Sequence, residues 1–124
     1  MPDHYDRYLM VIIVFPDGTD WYRPNWIFRQ LAEDTMRAFP QDDALRLNLE
    51  VGQSHGALFL NRMEPDVANA TIKAIKWVVE ETVQDRIQGW KQARPEDKDG
   101  HRMYAESMEE LLNILRQQTG ELPG

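Results

Sequence analysis

The segment that most constrains the fold is a long helical pattern that opens at Glu64-Pro65-Asp66 and continues to about Gln92. An unbroken helix over these residues would have about 28 residues and would span roughly 42 Å. A globular chain of 124 residues has a diameter of only about 35 Å. The helix would therefore overhang its own domain.

This helical pattern carries two apolar stripes, which is more than one three-stranded sheet needs to cover. Either a second subunit or the C-terminal helix must cover the spare stripe. We predict a homodimer through the 65–92 helix, with a contact set of Ile72, Val79, Val83, Ile87 and Trp90. The alternative is a break near Gly89 that folds Trp90 under the last helix.

The N-terminal part contains a near-continuous apolar run, Arg7–Phe15 (RYLMVIIVF), rich in Val and Ile. Its length and its lack of alternation predict a strand that is buried on both faces, in the middle of a sheet. The turn residues Pro16-Asp17-Gly18 end this strand. A helix with apolar residues at helical spacing follows, from Pro24 or Asn25 to Phe39.

The next segment, Ala44–Val51 (ALRLNLEV), alternates between apolar and polar residues. This period of two predicts a half-buried strand whose leucines face the helices. The segment Gly52–Gly56 (GQSHG) is interpreted as a hairpin loop, and Ala57–Met63 as the returning strand.

The C-terminal part begins with a charged segment, Arg94–Arg102, which contains a proline and a glycine and predicts a mobile loop. A last helix is expected over about Met103–Gln118. The predicted order is β-α-β-β-α-α. We therefore expect residues 1–124 to form a single two-layer α+β domain, with a three-stranded sheet and the helices packed on one face.

Charge and composition exclude several functional classes. The chain has 14 Lys and Arg against 21 Asp and Glu, a net charge of −7, whereas a nucleic-acid binder usually presents a basic face. It has no cysteine, so disulfides and thiolate zinc sites are excluded. No apolar run approaches the roughly 20 residues of a membrane helix, and the acidic start differs from a secretory signal. We expect no nucleic-acid or membrane partner, and a cytoplasmic location.

The GQSHG segment also matches the G-x-S-x-G pattern of hydrolases, in which the serine lies on a strand-to-helix turn. Ser54 could be followed in chain order by an acid and then by His101, the acid being one of Asp85, Asp97 and Asp99. However, a strand rather than a helix is predicted after the pattern, and the chain is short for that fold. A small hydrolase that uses Ser54, or the Asp17/Asp20 turn, is the alternative function.

The segment Asp17–Trp26 follows the predicted central strand and combines three large aromatic residues with two acids and an arginine. Ligand pockets and interface cores favour these residue types. We predict a ligand- or partner-binding surface made of Asp17, Asp20, Trp21, Tyr22, Arg23 and Trp26, with His55 as a neighbour. At least one of the three aromatic rings should be exposed, and Trp21→Ala should cost little stability. The alternative is that these rings belong to the core.

Metal-binding and cofactor patterns are absent from the sequence. The histidines, His4, His55 and His101, lie far apart and match no ligand spacing. We predict no metal, no cofactor and no catalytic residue. The sequence favours a non-enzymatic binding or protein-interaction module, acidic, whose partner is a basic protein or a small apolar ligand. A cavity of a few hundred Å³ lined by Trp21, Tyr22 or Trp26 would favour the small enzyme, and a closed, convex surface there would favour the interaction module.

Overall fold

A computed structural model describes residues 10–118, apart from the side chains of residues 83, 86, 87 and 90. The elements occur in the order β1 (Met10–Val14), β2 (Asp20–Pro24), α1 (Asn25–Ala38), α2 (Asp43–His55), β3 (Ala57–Phe59), a 3-10 turn (Leu60–Arg62), α3 (Pro65–Gln92) and α4 (Lys98–Gln118). The predicted class, an α+β domain with a three-stranded sheet, is confirmed. The order of elements is roughly the predicted one, but one strand was missed and one predicted strand is a helix.

The sheet has the strand order β2-β1-β3. Strand β1 pairs antiparallel with β2, so that Ile13 lies opposite Trp21, and parallel with β3, so that Ile13 also lies beside Leu58. All three side chains are buried on the face that the helices cover. On the other face, Ile12 and Val14 are only half-buried. The predicted central position of β1 is confirmed, whereas the prediction that it is buried on both faces is wrong. Residues 7–9 of the predicted strand lie outside the described residues.

The segment predicted as an alternating strand, Ala44–Val51, is part of helix α2. The first turn of α2 is capped by Asp42, whose side chain accepts a hydrogen bond from the Leu45 backbone N–H at 3.0 Å. The helix buries Leu45 and Leu49, which are four positions apart. Leu47 and Val51 point outward and are 59% and 44% exposed. The prediction of a strand with all these residues facing the helices is therefore wrong.

The GQSHG segment is the C-terminal end of α2 and not a hairpin loop. Gly56 ends the helix in the left-handed conformation, with φ of 73°, and its N–H donates to Gly52 O. The predicted returning strand, Ala57–Met63, is reduced to the three residues of β3 and the 3-10 turn that follows. The third strand of the sheet is β2, which lies in a segment predicted to be a turn.

Helices α3 and α4 pack against each other. Helix α3 is unbroken through Gly89, and it buries Ile72 and Val79 inside the subunit. These two members of the predicted dimer contact set are therefore not available to a second subunit, since the C-terminal helix covers the spare stripe. The other three, Val83, Ile87 and Trp90, have side chains outside the described part of the structure.

The predicted charged loop over residues 94–102 is shorter than expected, because α4 begins at Lys98 rather than at Met103. The backbone N–H of His101 donates to Asp97 O at 3.2 Å and so closes the first turn of that helix. Among the described residues, none of the helices combines the length and the apolar character needed to cross a bilayer.

Candidate functional site

The predicted binding segment, Asp17–Trp26, begins in the turn between β1 and β2. Asp17 accepts a hydrogen bond from the Thr19 backbone N–H at 2.9 Å. This bond is the largest of the causes that lower the pKa of Asp17 below its ordinary value. The carboxylate of Asp17 therefore stabilises the turn, in which Gly18 adopts a positive φ of 88°.

Strand β2 sends alternate residues of the predicted surface to opposite faces of the sheet. Trp21 is 1% exposed, and its indole N–H donates to Ser107 O of α4 at 3.2 Å. Arg23 points to the same side, where it donates to Ser107 Oγ at 3.1 Å and forms an ion pair with Glu110. Trp21 thus belongs to the core, and Arg23 attaches β2 to α4.

The prediction that at least one of the three aromatic rings is exposed is confirmed, since two of them are. Tyr22 is 52% exposed and Trp26 is 40% exposed. Asp20 and Tyr22 lie on the outer face of the sheet, whereas Trp26 lies in the first turn of α1. The segment therefore contributes to two separate surfaces rather than to one depression.

His55 lies apart from the other predicted site residues. It occupies the last turn of α2, where its ring nitrogen Nδ1 is 2.9 Å from Val51 O. No described contact joins it to residues 17–26. The neighbouring Ser54 precedes a strand and ends a helix, which reverses the strand-turn-helix order that a hydrolase nucleophile requires.

Trp26 lines a cleft in which its exposed ring meets several polar side chains. The cleft has a volume of about 330 Å³ and lies where the start of α1 meets the α3–α4 loop and the start of α4. Its lining consists of Trp26, Gln30, Glu96, Asp97, Gly100, His101 and Tyr104. A cavity of the size expected for the small enzyme is therefore present, at the lower end of the range for ligand pockets. However, Ser54, Asp17 and Asp20, the residues that such an enzyme would use, do not line it.

The aromatic wall of the cleft is made by two rings from different helices. The ring centroids of Trp26 and Tyr104 lie 6.3 Å apart, with an angle of 31° between the ring planes. Tyr104 is buried and Trp26 is partly exposed, so the indole presents a free part of its surface to the cleft. Such a surface attracts cations through the negative potential of its π face.

A buried acid holds two of the cleft residues in place. Asp34 of α1 accepts a hydrogen bond from Gln30 Nε2 at 3.0 Å, and Tyr104 Oη donates to its other carboxylate oxygen at 3.5 Å. Arg37 Nη1 lies 3.6 Å from the same carboxylate. This network links α1 to α4 beneath the cleft, and it restricts the side chains on which a ligand would rest.

Two carboxylates, Glu96 and Asp97, stand at the rim of the cleft and are exposed. Arg94 approaches Glu96 at 3.9 Å, a loose and exposed contact that neutralises little of the charge. Within residues 10–118, no group of three or more histidine, aspartate or glutamate side chains is placed to bind a metal ion. The rim therefore offers negative charge to a ligand.

Comparisons with protein-family models, with curated proteins and with solved structures gave no match for this chain.

Sequence reasoning identified Trp26 but not the residues that complete the cleft around it. Of the possible hydrolase residues Ser54, Asp97 and His101, the last two line the cleft and Ser54 does not. Gln30, Glu96 and Tyr104 carry no motif. Gln30 lies four positions after Trp26 on α1. Glu96 and Tyr104 reach Trp26 only because α4 and the loop before it pack beside α1, and no local pattern reports that packing.

Proposed function

We propose that this chain is a non-enzymatic binding module that recognises a basic side chain of a protein partner in the cleft beside Trp26. The observation that carries this proposal is the combination of an exposed indole surface with two carboxylates, Glu96 and Asp97, around one cleft of about 330 Å³. An arginine or lysine side chain fits that chemistry, because its cationic head can face the ring while the rim supplies the counter-charge.

The overall charge supports the same partner class. At −7, the chain attracts basic proteins over a distance of about one Debye length, roughly 8 Å at physiological salt. Such a field speeds encounter with a basic partner and disfavours an acidic one. The proposal keeps the cytoplasmic location expected from the sequence. A purely apolar ligand suits the cleft less well, since it would leave the rim carboxylates without a counter-charge.

The proposal is tested by NMR titration of the chain with two short peptides that differ only in an arginine or a citrulline, its neutral isostere. We expect the arginine peptide to shift the resonances of the cleft residues and the citrulline peptide to bind more weakly. Trp26→Leu should weaken binding of the arginine peptide by between about twofold and thirtyfold, which corresponds to a cation–π contribution of about 0.5–2 kcal/mol.

Trp77→Leu is the matched control, because Trp77 is a second exposed tryptophan and does not line the cleft. It should leave peptide binding unchanged. Asp97→Asn should weaken binding and reduce its dependence on salt. Equal affinity for the arginine and citrulline peptides, or an equal loss in Trp26→Leu and Trp77→Leu, would refute the proposal.

A further inference from the structure

The sheet presents a second surface, on the face that the helices leave open. We call it the outer sheet face; its residues are Met10, Ile12 and Val14 of β1, Asp20 and Tyr22 of β2, and Ala57 and Phe59 of β3. The side chains of β1 on this face are half-buried, and Tyr22 is 52% exposed. Five of the seven residues are large apolar or aromatic residues. A partly exposed apolar face of this kind is a candidate interaction surface.

The outer sheet face carries opposite charges at its two edges. Asp20 lies on β2 opposite Val14 of β1, and Phe59 of β3 pairs with the same Val14. The guanidinium carbon of Arg62 sits 4.2 Å from the centroid of the Phe59 ring. The row formed by Asp20, Val14 and Phe59 across the three strands therefore has an acid at the β2 edge and a base, Arg62, at the β3 edge. Neither Asp20 nor Arg62 forms a salt bridge within residues 10–118.

The neighbouring row is complementary in size rather than in charge. Ile12 lies between Tyr22 of β2 and Ala57 of β3. One edge of this row thus carries a large ring, and the other edge carries a methyl group.

A twofold axis parallel to β1 would place each row of one copy against the same row of a second copy, with the complementary edges opposite each other. Rotation about such an axis lays the β2 edge of one sheet over the β3 edge of the other, at the spacing of about 10 Å that stacked sheets adopt. Asp20 of each copy then approaches Arg62 of the other copy, and Tyr22 fills the space above Ala57. Both contacts occur twice, as an isologous interface requires.

We propose that a second copy of this chain packs on the outer sheet face, to form a twofold symmetric dimer. The face is only three short strands wide, so the dimer falls in the class of small interfaces and depends on protein concentration. It differs from the dimer predicted through α3, and it leaves the cleft beside Trp26 open. It does not depend on the function proposed for that cleft.

Sedimentation equilibrium over a range of protein concentrations tests the proposal with two charge reversals. We expect the wild-type chain to be in a monomer–dimer equilibrium. Asp20→Lys places a second cation against Arg62, and Arg62→Glu places a second carboxylate against Asp20, so each variant alone should raise the dimer dissociation constant by about tenfold or more. In a mixed dimer of the two variants, the substituted position 20 of one copy faces the substituted position 62 of the other copy. The second contact keeps the native Arg62 and Asp20. Opposite charges then meet at both contacts, and the mixture should recover dimers, all of them mixed.

Glu109→Lys and Lys73→Glu are the matched controls, because they reverse the same charges at exposed positions on α4 and α3. They should leave the dissociation constant unchanged. Circular dichroism of each variant checks that it is folded. A wild-type chain that stays monomeric at all concentrations, a dimer that persists in both single variants, or a mixture of folded variants that does not recover dimers would overturn the proposal. Binding of a different protein to this face in place of a second copy would also overturn it.

Discussion

Replacing Trp21 by alanine should cost the protein several kcal/mol of stability, contrary to what its place in an exposed-looking segment suggests. The indole is 1% exposed and lies between β1 and α4. Its N–H donates to Ser107 O at 3.2 Å in a buried environment. Trp21→Ala therefore removes both a large buried side chain and the donor of a buried hydrogen bond.

The size of the effect follows from these two losses. Truncation of a buried aromatic side chain to alanine costs about 3–5 kcal/mol, depending on how far the cavity collapses. The carbonyl left without its donor adds about 1 kcal/mol unless water reaches it. Since a domain of this size has a free energy of unfolding of about 5–15 kcal/mol, Trp21→Ala should lose a large fraction of its stability.

Urea denaturation followed by circular dichroism measures this loss. With an m-value of about 1–3 kcal/mol/M, a loss of about 4 kcal/mol lowers the midpoint by about 1.3–4 M. Tyr22→Ala is the matched control, because the neighbouring residue on the same strand faces outward and is 52% exposed. At a concentration where the chain is monomeric, it should cost less than about 1 kcal/mol.

Trp21→Phe is an intermediate case, because it keeps a buried six-membered ring but removes the five-membered ring of the indole together with its N–H. It should cost less than Trp21→Ala and more than Tyr22→Ala. Equal losses in Trp21→Ala and Tyr22→Ala, or a loss below about 1 kcal/mol for Trp21→Ala, would refute the assignment of Trp21 to the core.

Two further predictions concern the turns. The side-chain carboxyl of Asp17 should titrate by NMR below the ordinary value of 3.8, because the charged form accepts the Thr19 N–H. Its contribution to stability is thus complete above the ordinary pKa and is lost as the pH falls through the lowered pKa; a midpoint at or above 3.8 would contradict this. Gly56→Ala should cost about 1–2 kcal/mol, because alanine disfavours the left-handed conformation, whereas Gly100→Ala, in open space within α4, should stabilise by about 0.5–1 kcal/mol. Thermal unfolding compares the two glycine variants, and equal effects would count against the left-handed cap.

Helices α1 and α3 could be predicted from the sequence almost to their ends. Helix α1 begins at Asn25, as expected, and α3 covers Pro65–Gln92. Their signals are local, since an apolar residue recurs every three or four positions and a proline stands near each start. The prediction that at least one of Trp21, Tyr22 and Trp26 is exposed is also confirmed, whereas which of them are exposed was not predicted.

Helix α2 shows where such signals fail. Apolar residues at every second position satisfy a strand, but every second one of them, such as Leu45 and Leu49, also lies on one helical face. The cap of Asp42, the left-handed Gly56 and the burial of only two of the four apolar residues favour the helix. Strand β2 was missed because it is short and ends in proline. It is stabilised by pairing with β1, which no local pattern shows.

The sequence by itself determined the class of the domain, its acidity and the positions of α1 and α3, because these depend on composition and on contacts between neighbours along the chain. Only the tertiary structure decided which aromatic residue is core and which is surface, since Trp21 and Tyr22 differ only in the side of β2 from which they project. The tertiary structure also determined which residues form the cleft, because Trp26 and Tyr104 meet through the packing of α4 beside α1. Such contacts depend on how all the apolar surfaces are covered at once, and no local pattern records that arrangement.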